Sequence, residues 1–267
     1  RRHFFLLFTM KGNSPVFLGL WLARHNFRDR SYLAVGIFFL FLLLLCFYLS
    51  LLALIYPERV FYHSSLLALL FSCYLLIAQY GIVEYRKLFE TRGVHLFLTA
   101  PISRSHFLLG YFFSLLFLIG GFFLLASLLL CAIFFLFYRN LFLPFLGSLV
   151  LQFGEIVLLI FGALFLANLF TSSTVGIFAY TAFLIMGNLV GDAYREVAQG
   201  ASFWMTRILS VLVYLLPMLD HYRPLGVFGS PRILTALDAL LLLFYTAGFS
   251  LLFLFLSMLL LVNRPIE

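Results

Sequence analysis

"YLAVGIFFLFLLLLCFYLSLLALIYPER", residues 32 to 59, carries no charge before Glu58. A hydrocarbon layer about 30 Å thick is crossed by about 20 apolar residues in an α-helix. Residues 32–56 satisfy that length. Lipid offers no partner for backbone N–H and C=O groups, so the run has to form a helix that pairs them internally. Pro57 ends it, and "YPER" at 56–59 reads as a tight turn.

The same pattern recurs along the chain, at 60–83, 107–137, 141–168, 174–190 and 237–262. The 267 residues are 64% hydrophobic and 10% charged, with a mean hydropathy of +1.13. Soluble domains are roughly half apolar and a quarter charged. The fold class expected is therefore an all-α membrane protein of about six transmembrane helices, forming one domain over residues 1–267. The chain begins "RRHFF" without Met, as a trimmed chain does, and no signal peptide with a small-residue cleavage site is legible.

Basic residues in short loops set the expected orientation. With the N-terminus inside, the cytoplasmic side holds Arg1, Arg2, Lys11, Arg24, Arg28, Arg30, Arg86, Lys87, Arg92, Arg104 and Arg264, eleven of the 17 Lys and Arg. Arg59, Arg139, Arg195, Arg207, Arg223 and Arg232 fall outside. Both termini are then cytoplasmic. The net charge of +7 finds its counterpart in anionic lipid headgroups, and no basic surface with interleaved aromatics calls for nucleic acid. Cys46, Cys73 and Cys131 all lie in apolar runs without C-x-x-C spacing, and the six histidines are scattered, so no metal site is expected.

Three segments depart from the apolar pattern. Residues 1–31 contain "NSPVFLGLWLARHNFRDRS", whose Trp21 and clustered Arg24, His25, Arg28 and Arg30 suit an amphipathic helix in the headgroup layer. Residues 191–236 hold a short apolar centre, 203–216, interrupted by Arg207 and stopped by Pro217. It reads as a re-entrant or interfacial helix on the outer side, with Arg207 at an outer gate.

The third is "EYRKLFETRGVHLFLTAPISRSHFLLG", residues 84 to 110. Tyr85, Leu88, Phe89 and Leu96 recur at near-helical spacing, while Glu84, Arg86, Lys87, Glu90 and Arg92 supply polar faces. Gly93 and Pro101 permit breaks, and Ser103 or Ser105 can cap the next span. Neighbouring helices need only a few residues between them. An amphipathic segment over 84–106 implies that something docks against it.

Part of this region resembles a known family. "FLTAPISRSHFLLGYFFS" (97–114) is similar to the segment that opens the third span of type-2 ABC exporter permeases. "ETRG" (90–93) resembles that family's acidic, Thr and Gly cluster in a different order. "LANLFTSSTVG" (166–176) and "LLPMLDHYRPL" (215–225) are similar to its inner turn and its Leu-Pro signature. Tyr111 departs from the pattern, since many relatives place Lys after that Gly.

The resemblance implies a permease subunit of an ATP-driven exporter, paired with a second copy or paralogue in a bacterial inner membrane. It implies a cytoplasmic coupling helix docking separate ATPase subunits through Glu84, Tyr85, Leu88, Phe89, Glu90, Arg92 and Leu96. ATP and Mg²⁺ would be bound by those partners. The residues agree: neither Lys11 nor Lys87 is followed by Ser or Thr, so no G-x-x-x-x-G-K-[ST] phosphate loop lies within these 267 residues, and the chain is expected to be no enzyme itself.

Glu155 stands in the middle of the fourth apolar run with Gln152 three residues earlier on the same helical face. A carboxyl at that depth needs protein around it. Two readings stay open: Glu155 bonds a neighbouring helix, or it shares a hydrogen bond with Gln152 and the pair forms a polar stripe toward the substrate path or the permease interface. Two other classes fit less of the sequence. A secondary transporter calls for inverted repeats and several intramembrane charges, and an intramembrane enzyme acting on a lipidic substrate calls for converging residues.

Overall fold

In the computed structural model the described residues are 15–27, 29–53, 56–90, 103–197, 217–222 and 236–262, and all regular structure among them is helical. Five helices are long and apolar enough to cross a membrane: Arg30–Leu52, Pro57–Phe89, Arg104–Phe137, Arg139–Leu169 and Leu240–Leu261. Ser173–Leu189, at the fifth expected span, is a shorter apolar helix. Residues 203–216, with Arg207, and residues 91–102, with Arg92 and Leu96, lie outside the described residues.

Helix α1 (Pro15–Asn26) starts on Pro15, whose fixed φ suits a first helical position. Its buried residues Leu18, Gly19, Leu22 and Ala23 form one face, which packs on α5 (Arg104–Phe137). The approach is close enough to require glycine on both sides. A Cβ on Gly19 would lie 2.8 Å from the Gly110 carbonyl oxygen, and one on Gly110 would lie 2.5 Å from Leu18 Cδ2.

Asp29 caps α2 (Arg30–Leu52), accepting a 3.4 Å hydrogen bond from the Ser31 amide. Only Phe39, Leu43, Cys46 and Ser50 of α2 are buried, a narrow stripe at helical spacing against α3 (Pro57–Leu76). Most of its other Leu, Ile and Phe side chains are exposed, as lipid-facing residues are, while Phe38 packs on Phe71 and Leu42 on the core.

Helix α3 continues without a break through a π-helical segment, Ile77–Glu84, into α4 (Tyr85–Glu90). Ser103 caps α5, accepting from the His106 amide at 3.3 Å. The 34 residues of α5 extend about 51 Å, well beyond the thickness of a hydrocarbon core. Helix α5 is unbroken through Gly120–Gly121.

The centre of the bundle is α6 (Arg139–Leu169), which contacts α3, the π segment, α5, α7 (Ser173–Val197) and α8 (Ala236–Val262). Two-thirds of its apolar window (67%) is buried, against 22% for α2 and 17% for α8, which marks those two as peripheral. Aromatic pairs fix the contacts, with Phe112 stacked on Phe161 at 4.0 Å and Phe134 on Phe145 at 4.2 Å. Gly154, Gly162 and Ala163 of α6 pack inside this chain, against Tyr222, Phe183 and Gly81 respectively. They serve its own helix contacts.

Candidate functional site

Two polar clusters stand in the apolar bundle. The first lies where α4 leads toward residues 91–102. Tyr85 is fully buried, and its hydroxyl donates to Asn168 Oδ1 on α6 at 2.9 Å. Asn168 in turn donates through Nδ2 to the Leu164 carbonyl at 3.0 Å. Arg86, only 3% exposed, donates through Nη2 to the carbonyl of Thr171 in the α6–α7 turn. A buried guanidinium needs such acceptors, because isolated charge in an apolar interior is costly.

The π segment above it is held as well. Tyr111 of α5 donates to the Tyr80 carbonyl at 2.6 Å, and Tyr80 donates to Asp29 Oδ2 at 3.2 Å. This links α5, the π segment and the cap of α2 in one chain of hydrogen bonds. The rings of Tyr85 and Tyr111 meet edge to face at 4.8 Å, and Phe89 packs on Tyr85 at 5.1 Å and on Phe107 at 6.5 Å.

These contacts sort the residues read from the sequence. Tyr85 is wholly interior and supports the segment from within, so its ring presents no surface. Leu88 and Phe89 are half-buried. Lys87 is exposed and pairs with Glu84 at 2.5 Å, and Gln79 also donates to Glu84 at 3.3 Å. Glu90 ends the described helix.

The second cluster surrounds Glu155. Its side chain is 1% exposed and accepts from the Tyr74 hydroxyl of α3 at 2.5 Å. Glu155 therefore faces protein. The hydrogen bond between Gln152 and Glu155 is not formed, because both side chains turn to α3. Gln152, equally buried, donates to the Leu66 carbonyl at 3.3 Å.

The turn at 217–222 completes this cluster. Leu219 and Tyr222 are fully buried, and Tyr222 lies against Gly154, midway along α6, where an added Cβ would come within 3.2 Å of its ring. The Tyr222 and Thr246 hydroxyls are 2.6 Å apart, and the Met218 amide donates to the Tyr245 hydroxyl at 2.7 Å. The described part of the Leu-Pro segment, 217–222, is thus anchored between α6, α7 and α8.

Sequence reasoning missed Tyr74, Tyr85's partner Asn168, and Tyr222. The legible signal was the hydroxyl itself: a Tyr inside an apolar run has to find an acceptor. Among the described residues, no three His, Cys, Asp or Glu side chains converge in a way that could hold a metal ion. No protein-family model matches this chain, and no curated protein matches it.

Proposed function

We propose that this chain is the permease subunit of an ATP-driven exporter, with six spans of which α7 is the fifth. A second permease and separate ATPase subunits complete the transporter. Residues 84–106 form the coupling region, on the cytoplasmic side of a bacterial inner membrane together with both termini. The segment around 191–236 belongs to the outer gate.

The observation that supports this reading best is the clamp at the foot of α4. Tyr85 ties the helix to Asn168, and Arg86 ties it to Thr171. A partner that pushes on the adjoining segment moves α3, α6 and the α6–α7 turn together. Nucleotide binding in the ATPases then changes which side of the paired permeases is open, because the two arrangements differ in their contacts with the ATPases. Lys87, Leu88 and Phe89, with Glu90, Arg92 and Leu96 beyond them, form the docking surface. Tyr85 and Arg86 transmit the load from inside.

Glu155 also favours one competing reading, an ion-coupled secondary transporter, since a buried intramembrane carboxyl is a common coupling-ion ligand. The energy source separates the two. ATP-dependent uptake of cargo into inside-out vesicles that persists when ion gradients are collapsed supports the exporter. Export driven by a gradient without ATP supports the secondary transporter.

A further inference from the structure

We infer that the outward face of α1 is a binding site for an anionic phospholipid, with its acyl chain on Phe17, Leu20 and Trp21 and its headgroup phosphate between Arg24 and Arg30. This assignment does not depend on the exporter reading.

The helix is divided cleanly. Leu18, Gly19, Leu22 and Ala23 are buried against α5, while Phe17 (38% exposed), Leu20 (49%) and Trp21 (36%) lie on the opposite side. At 100° per residue, Phe17, Leu20, Trp21 and Arg24 share one face, so the apolar strip ends one turn later in a cation. His25 is exposed beside it with its ring 6.4 Å from that of Trp21, and Arg30 is exposed just after the turn.

The charge at this face is net positive, Arg24 and Arg30 outweighing Asp29. Asp29 is the acidic residue of the turn, and both of its oxygens are used within the protein, Oδ1 by the Ser31 amide and Oδ2 by the Tyr80 hydroxyl. Among the described residues no ion pair engages Arg24, His25 or Arg30. A cationic end on an aromatic strip complements a lipid with a net negative headgroup better than a zwitterionic one. A basic residue held at a membrane surface contributes about a fivefold preference for anionic lipid.

Trp21 reports on the site directly. The whole chain carrying Trp204→Phe, which leaves Trp21 as its single Trp, is reconstituted in vesicles of phosphatidylcholine containing brominated phosphatidylglycerol or brominated phosphatidylcholine at equal mole fraction. Quenching of Trp21 should be at least about fivefold more sensitive to the anionic lipid. The preference should vanish in Arg24→Gln/Arg30→Gln and survive in Arg24→Lys/Arg30→Lys, with the Trp21 emission maximum unchanged in both. Equal quenching by the two lipids, a preference that survives the Gln pair, or a Trp21 that neither lipid reaches because a second copy covers it, would each overturn the assignment.

Discussion

Replacing Tyr85 with Phe removes one oxygen and leaves the ring in place, so its packing at 4.8 Å from Tyr111 and 5.1 Å from Phe89 is kept. The 2.9 Å hydrogen bond to Asn168 Oδ1 is lost, and that acceptor is left without its donor in a buried site. An acceptor stranded in this way costs about 1 to 3 kcal/mol. Removing both partners costs less than the sum of the single changes, because no unsatisfied group remains. In a cycle of Tyr85→Phe, Asn168→Leu and the double variant, the interaction term should be about 0.5 to 3 kcal/mol. Unfolding in mixed micelles titrated with denaturing detergent measures it by tryptophan fluorescence. Under the proposed exporter function, Tyr85→Phe should also lower cargo moved per ATP hydrolysed while ATPase binding stays normal. Strict additivity, or a Tyr85→Phe protein as stable and as well coupled as wild type, would refute the clamp.

Two further substitutions probe the packing and the central cluster. Gly19→Ala places a Cβ 2.8 Å from a backbone oxygen and 2.6 Å from Phe113 Cβ, so α1 has to lift from α5 at a cost of about 1 to 3 kcal/mol. A cysteine at Ala23 should then react with a soluble maleimide much faster than in the parent, and unchanged labelling would count against the close crossing. Glu155→Leu leaves the Tyr74 hydroxyl without its acceptor and should destabilise the bundle by about 1 to 3 kcal/mol, whereas Glu155→Gln, which can still accept, should cost less. Thermal unfolding compares them, and equal losses in the two variants would show that the hydrogen bond to Tyr74 contributes nothing.

The helical membrane fold was legible because lipid permits so few backbone solutions. The runs at 32–56 and 141–168 closely anticipate Arg30–Leu52 and Arg139–Leu169. Boundaries were less legible where a helix carries on past its apolar stretch. The second run was read to residue 83, yet the rod continues through the π segment to Glu90, since the side chains of Tyr85 and Arg86 are satisfied by α6 and its turn. Spacing along one chain gives the face on which Glu155 and Gln152 lie, but not their partners. Tyr74 and Leu66 come from another helix, and that pairing depends on the register of α3 against α6. Tyr222 shows the same limit, because a loop position in sequence gave no sign that its ring would settle against Gly154.

What meets the surface beside the clamp decides the proposed function. A photoreactive amino acid placed at Lys87, which is exposed, can be cross-linked in intact cells and the adducts sequenced. The predicted partner is a protein with a G-x-x-x-x-G-K-[ST] phosphate loop, cross-linked in a yield that changes when ATP is depleted. Adducts confined to lipid or to proteins without that loop, in cells that still export, would contradict the assignment of this chain as an ATPase-coupled permease.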